Sequence, residues 1–164
     1  MIAADRVITV KGVISEDFIQ YKHPSMVVMF PNCSLKCDKE CGSHVCHNSE
    51  MLKMNSVLIS VDTIVSMYMN NSITSAIVLS GMDPMDSFED AVKLIEALRY
   101  ETNDTIVIYT GYYPSEIQDK IDDLKKFNNI IVKFGRFVPD SNSRFDNLLG
   151  INLASDNQFA KTIS

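Results

Sequence analysis

Four continuous apolar runs punctuate this chain: Ser25 to Phe30, Ala76 to Leu79, Thr105 to Tyr109 and Ile130 to Phe134. Short apolar runs bounded by polar residues read as strands buried on both faces. Between them, apolar positions recur at helical spacing. Ser60 is placed as an N-cap with Asp62 in the first turn, and Val61, Ile64, Val65 and Tyr68 share a face before Asn70-Asn71 ends the segment. Phe88 to Arg99 carries Phe88, Ala91, Val92, Ile95 and Leu98 on one side. Ser115, with Glu116 following, opens a third helix through Ile117, Ile121 and Leu124. Val7 to Gly12 alternates weakly, as a short edge strand does. Glu16 to Pro24 reads as a connector and Glu50 to Asn55 as a helical turn. From Pro139 to Ser164 the chain is polar, with islands at Leu148-Leu149-Gly150-Ile151 and at Phe159, and shows no readable period.

Strands alternating with helices imply right-handed crossovers and a mainly parallel sheet with helices outside. The fold class expected is α/β. A closed eight-unit βα barrel needs roughly 250 residues. These 164 residues therefore predict a partial, open βα barrel in one domain, 1–164, with its core over 25–138 and a polar tail over 139–164. In a parallel sheet the loops after the strands meet on one rim. Those loops are the segment from Cys33 to Asn48, Gly81-Met82-Asp83-Pro84, Tyr109-Thr110-Gly111 and Gly135-Arg136-Phe137.

Composition narrows the chemistry. Hydrophobic residues make up 46% of the chain, a globular composition. A net charge of −6 and a pI near 5.0 argue against nucleic-acid backbone binding. Met1 to Arg6 lacks the layout of a signal peptide, and no stretch is apolar enough to span a bilayer. The compartment expected is the cytosol, where clustered cysteines are metal ligands or redox groups more often than disulfides. All four cysteines, Cys33, Cys37, Cys41 and Cys46, fall within one loop after the first confident strand. Thiolates crowded this closely suit zinc or an iron–sulfur cluster. Zinc would pair Cys33 with Cys37 and Cys41 with Cys46, or take His44 or His47 in place of one thiol.

The pattern Cys33-x-x-x-Cys37 with a later Cys46-His47-Asn48 resembles the radical S-adenosylmethionine (SAM) superfamily. The trailing Cys-His-Asn is similar to the glycyl-radical activating enzymes. Leu79-Ser80-Gly81-Met82-Asp83-Pro84-Met85 resembles the superfamily's Gly-Gly-Glu/Asp-Pro stretch. Ile108-Tyr109-Thr110-Gly111-Tyr112, Phe134-Gly135-Arg136-Phe137-Val138 and Leu149 to Gln158 resemble stretches of the anaerobic ribonucleoside-triphosphate reductase activating proteins. The resemblance runs from about Val27 to Gln158. It implies a [4Fe-4S] cluster held by three cysteines, with one iron left open to chelate SAM. It also implies reductive cleavage of SAM to a 5′-deoxyadenosyl radical, a flavodoxin-type electron donor and a glycyl-radical partner enzyme. SAM contacts are expected from Gly81, Met82, Asp83, Tyr109 and Asn48.

The chain departs from the family at the loop. The family places two residues between its second and third cysteines, whereas eight separate Cys37 from Cys46 here. The cluster ligands are therefore Cys33, Cys37 and Cys46, or Cys33, Cys37 and Cys41. The Cys-His-Asn signature favours the first set. The family's second glycine is Met82 here, which is tolerable only at negative φ. Two other readings stand beside the activating enzyme. One is a small-molecule radical SAM enzyme like the 7-carboxy-7-deazaguanine synthases, and the other a zinc or iron–sulfur module without catalysis. The place of Asp83 after a buried strand favours a site residue over the plain alternative of a solvated turn residue, and Arg136 reads as a contact to a carboxylate or partner protein or, equally, as a solvent-facing residue. The methionines Met51, Met54, Met67 and Met69 are read as packing.

Overall fold

The computed structural model describes residues 6–164. The reading of the amino terminus as free of a signal layout rests on residues 1–5, which lie outside the described residues. Ten strands and five α-helices follow: β1 (Val7–Val10), β2 (Gly12–Asp17), β3 (Ser25–Phe30), α1 (Lys36–Cys41), α2 (Ser49–Leu52), β4 (Val57–Ser60), α3 (Val61–Met69), β5 (Ala76–Gly81), α4 (Phe88–Glu101), β6 (Thr105–Tyr109), α5 (Gln118–Leu124), β7 (Ile130–Phe134), β8 (Arg144–Asp146), β9 (Ile151–Leu153) and β10 (Phe159–Thr162).

Six of these strands form one sheet in the order β10-β7-β6-β5-β3-β2. The four apolar runs are its parallel centre, β3, β5, β6 and β7, paired in sequence order. The antiparallel strands β2 and β10 flank them and leave two edges, so the sheet does not close on itself. The fold is thus mixed α/β with a mainly parallel central sheet. Burial explains why the central runs lack polar alternation: every residue of β5 and of β7 is buried.

The sheet's two faces are covered differently. On one, Ile64, Leu94, Leu98, Ile121 and Leu124 from α3, α4 and α5 join Met26, Val28, Ile77, Leu79, Ile106 and Val132 in the larger core. On the other, among the described residues, no helix contributes to the core. Val27, Val78, Val107 and Ile131 meet Tyr21, Leu149 and Leu153 instead. The polar tail therefore has a structural role that periodicity did not reveal. β8 and β9 pair with each other, Leu149 and Leu153 are buried, and β10 extends the sheet. Strands of three or four residues carry too few positions to show a period.

Local signals held where chemistry fixed them. Ser60 caps α3 by accepting from Asp62 N at 3.1 Å. In α4 the buried stripe is Ala91, Leu94, Ile95 and Leu98, which takes in Leu94, and Val92 is only half-buried. The third helix starts later than Ser115, because Pro114–Glu116 forms a 3-10 turn before α5. The methionine group is not packing throughout: Met54, Met67 and Met69 are exposed, and Met51 turns toward a cavity. Among the described residues no helix is long and apolar enough to cross a membrane.

Candidate metal centre

Three of the four cysteines line one cavity. It lies at the carboxyl ends of the parallel strands, where α1 and α2 bring Cys37 and Met51 beside Met29 and Tyr109 of the sheet, and has a volume of ≈ 420 Å³. Cys33, Cys37 and Cys46 line it, and Cys41 does not. All four are free thiols. Each of the three cavity cysteines has a backbone N–H donor. Leu35 N donates to Cys33 Sγ at 3.3 Å and Phe137 N to Cys37 Sγ at 3.3 Å. A backbone hydrogen bond from Asn48 acts on Cys46. Among the described residues no such bond reaches Cys41. Burial pushes the Cys33 and Cys46 thiols up from their ordinary value, and the amides of Leu35 and Asn48 act against it.

The short loop between Cys33 and Cys37 is bent by Leu35, which sits in the left-handed region at φ 55°. That conformation costs a non-glycine residue about 1–2 kcal/mol, so the surroundings must hold it. Asp86 does much of this. Its Oδ2 accepts from Ser34 N at 2.9 Å and pairs with Lys36 Nζ at 3.4 Å, while its Oδ1 accepts from Tyr112 Oη at 2.6 Å. The Lys36 ammonium lies 3.3 Å from the Tyr112 ring centroid, close enough for a cation–π contact. One carboxylate thereby joins the cysteine loop to the segments after β5 and β6.

The eight residues between Cys37 and Cys46 are also ordered from within. They begin in α1, which ends at Gly42 with φ 68°. Asp38 Oδ1 then accepts from both Val45 N and Cys46 N at 2.8 Å, and its Oδ2 lies 2.9 Å from His44 Nδ1. This brings the chain back so that Cys46 faces the cavity. Arg136 braces the helix from outside, with its Nε 2.8 Å from Glu40 Oε1 and its Nη2 donating to Glu116 Oε1 at 2.6 Å. Arg136 is therefore buried between two carboxylates, not solvent-facing.

The other residues singled out from the sequence meet on the same rim. Gly81, Met82, Asp83, Tyr109 and Asn48 all line the cavity. Gly81 has φ 95°, and a Cβ there would lie 2.6 Å from Phe30 N. Only glycine fits so tight a crossing. Met82 is not among the positive-φ residues, so its side chain is tolerated. Asn48 Nδ2 donates to the Gly81 carbonyl at 3.2 Å, tying the end of the cysteine loop to the end of β5. Asp83 is no solvated turn residue, being 2% exposed. Its Oδ1 accepts from Met85 N at 3.0 Å, and its Oδ2 from Thr110 Oγ1 at 3.1 Å and Gly111 N at 3.0 Å. Burial pushes its carboxyl up against these donors. Its side chain thus locks two rim loops together at the edge of the cavity. Tyr109 Oη donates to the Gln20 carbonyl. His44 pairs with Asp38, and His47 stacks on Phe137 with centroids 4.0 Å apart.

Three contributors escaped the sequence reading, and a fourth, Gln158, entered it only through the resemblance. Asp86 and Asp38 were hidden as ordinary turn and loop acids. Gln158 lines the cavity and donates to Gly135 O at 3.2 Å, and its sequence context gave no independent signal. Lys133 also lines the cavity. It had a visible signal, a lone charge inside an otherwise apolar strand, and burial pushes its ammonium down to about 8.

The donor chemistry fits an iron–sulfur cube. Three thiols lining one cavity, each with an amide N–H, suit a cluster bound by thiolates, since hydrogen bonds to sulfur help set its potential. A zinc ion would draw all its ligands onto one atom. Among the described residues, no group of three or more His, Cys, Asp or Glu side chains, the three cavity cysteines included, is gathered closely enough to hold a metal ion, so the choice of cluster over zinc rests on the family match below. The cavity's size also falls in the range of small-molecule sites, roughly 300–1,000 Å³. The 4Fe-4S single cluster domain family matches residues 25–158, from the first residue of β3 to the glutamine that lines the cavity. No curated protein matches the chain.

Proposed function

The chain belongs to the 4Fe-4S single cluster domain family, and from that premise we propose that it is a radical SAM enzyme whose cluster is held by Cys33, Cys37 and Cys46. One observation carries the reading: those three thiols share a cavity with Gly81, Met82, Asp83, Tyr109 and Asn48, and Cys41 stands outside its lining. The chemistry such a cluster supplies when bound is one low-potential electron, enough to break a sulfonium C–S bond reductively.

This chain's own residues would prepare the site. Leu35, Asn48 and Phe137 amides stabilise the thiolates they face. Asp83 and Asp86 fix the rim loops, so that the backbone polar groups after β5 keep their positions when a ligand's amino group approaches. Met29 and Met51, also on the lining, give the cavity an apolar surface. The sheet's open edges leave room beside the rim for a macromolecular substrate. We take that substrate to be a glycyl-radical partner of the anaerobic ribonucleotide reductase kind, and the electron source to be a flavodoxin-type protein, both on the strength of the resemblance.

The test is anaerobic reduction by dithionite with SAM present. The expected product is 5′-deoxyadenosine, lost in Cys33→Ala, Cys37→Ala and Cys46→Ala and kept in Cys41→Ala. A Cys46→Ala protein that still cleaves SAM beside a dead Cys41→Ala would overturn the ligand set. Colourless protein carrying one zinc per chain would overturn the function.

A further inference from the structure

Away from the cavity, β4 has one edge left open. The ribbon of β1 and β4 is two-stranded, and Thr9 lies opposite Leu58 in its register. Thr9 N donates away from β4, to Asp90 Oδ2 at 3.0 Å, and Lys11 N, two residues on, donates to Met29 O at 2.7 Å. Opposed residues of an antiparallel pair either face each other with their backbone groups or both turn them away. Thr9 and Leu58 therefore turn theirs away, and Leu58 holds its N–H and its C=O out along the free side of β4. Among the described residues no hydrogen bond reaches either group. Leu58 is 75% exposed and its neighbour Val57 50%.

The edges of the six-stranded sheet are blunted. β2 has a register irregularity between Ile14 and Asp17, with the charges of Glu16 and Asp17 beside it. On β10, Asp146 Oδ2 accepts from Ala160 N at 3.1 Å, and Lys161 is exposed. Bulges and charges of this kind keep sheet edges from pairing. β4, which reads Val57-Leu58-Ile59-Ser60, has no charge, no proline and no bulge.

We propose that β4 is a self-association edge, to which a second copy of this chain adds its own β4 antiparallel, making one four-stranded sheet about a twofold axis. The occupant follows from the edge itself. A residue with both backbone groups outward complements itself: Leu58 N–H meets the Leu58 carbonyl of the second copy, and the reverse, with the axis between them. Opposed residues share a face, so Val57 and Ile59 lie on the face that carries Val10 and Ile8 into the core. In the paired sheet Val57 is covered by Ile59 of the second copy, and the two Leu58 side chains meet on the other face. Pairing thus covers the apolar residues that one chain leaves exposed, and it opposes no like charges. The inference is independent of the cofactor reading.

Sedimentation velocity of the anaerobically purified full chain should show a dimer. Leu58→Lys and Leu58→Glu each set like charges across the axis, and each should weaken the dimer about tenfold or more. Circular dichroism and iron content should not change, because the side chain is exposed. Leu58→Pro deletes the outward N–H and none of the bonds to β1, and should also be monomeric. Mixed in equal amounts, Leu58→Lys and Leu58→Glu should associate again, because position 58 faces only itself. A monomeric unsubstituted chain overturns the proposal. So does a chain that is monomeric alone and takes up a purified glycyl-radical protein through this edge, which assigns the edge to that partner. A dimer that the variants leave intact overturns it as well, as does a mixture of folded variants that stays monomeric. Formation of 5′-deoxyadenosine is measured on the same samples, so the cofactor reading stands or falls separately.

Discussion

Replacing Asp86 by alanine should release the cysteine loop while leaving the sheet standing. The carboxylate side chain is 16% exposed and accepts two good hydrogen bonds, from Ser34 N at 2.9 Å and Tyr112 Oη at 2.6 Å. Bonds to a charged acceptor contribute about 1.5–3 kcal/mol each. Water reaching the truncated site recovers part of this. The longer Lys36 pair adds only about 0.5 kcal/mol. The net cost is about 3 kcal/mol, or about a hundredfold in an equilibrium. It falls on the loop, because Ser34 lies between Cys33 and the left-handed Leu35, whose strain then has one restraint fewer. Of the two lost partners, only Tyr112 packs against the larger core, and its ring stays in place when its hydroxyl loses the bond. The assay is iron and sulfide per chain after anaerobic reconstitution, followed by the rate of iron loss to a chelator. Asp86→Ala should keep its circular dichroism and lose iron far faster than the unsubstituted protein. Asp90→Ala is the control. Asp90 accepts from Thr9 N at 3.0 Å on the other side of the same region and should lower stability by about 1 kcal/mol with iron retention unchanged. If Asp86→Ala melts early but holds iron like the parent, the clamp argument is wrong and Asp86 serves the fold alone.

Three further outcomes are expected. Asp83→Asn can keep the acceptor for Thr110 and Gly111 or for Met85, not for both. It should therefore lower the urea midpoint by an amount equivalent to about 2 kcal/mol, and an unchanged midpoint would contradict its role as the lock between rim loops. Asp38→Ala frees the return of the loop, so cluster assembly should become dependent on Cys41. The double variant Asp38→Ala/Cys41→Ala should hold less iron than Asp38→Ala, whereas Cys41→Ala alone should match the parent, and equal iron in all of them would refute the staple. Arg136 holds the Glu116 carboxyl below its usual range. The pair's contribution is thus present above the ordinary glutamate value of about 4.3 and is lost as pH falls through the depressed one. Melting temperatures from about pH 6 to about pH 3 should show a shallower acid decline for Glu116→Gln than for the parent.

The central strands were legible because each is a continuous apolar run, and burial on both faces leaves no other pattern to mistake it for. The caps and the amphipathic stripe of α4 were legible for similar reasons. The rim was legible by topology alone, since parallel strands must end together. What could not be read was the second face. A strand such as β9 has three residues, and Leu149 and Leu153 fall in a short apolar island too brief to show a period within a polar tail, so only tertiary contact discloses their burial. β4 was missed because Val57 and Leu58 are exposed, at 50% and 75%, which is not how apolar residues in a strand usually behave. At the site, the residues with chemical identity were found from their type: four cysteines, a glycine at a tight crossing, an acid after a strand. Asp86, Asp38 and Gln158 act through backbone groups of other loops, and nothing in their own neighbourhood in the chain announces that.

The three candidate ligands differ in where their support comes from, and this has a consequence for assembly. The amide facing Cys33 belongs to Leu35 in the loop itself. The one acting on Cys46 belongs to Asn48, whose side chain is fixed by the Gly81 carbonyl. The one facing Cys37 belongs to Phe137, a hundred residues away in the chain. The backbone around Phe137 is held by the tail: Asn157 Nδ2 donates to Arg136 O at 2.8 Å, Gln158 Nε2 donates to Gly135 O at 3.2 Å, and Val138 N donates to Ser155 Oγ at 3.2 Å. A cluster bound by Cys37 therefore favours the docked tail, and a docked tail favours the cluster, because each stabilises the conformation the other needs. The segment without readable periodicity is thus joined energetically to the most recognisable segment of the chain.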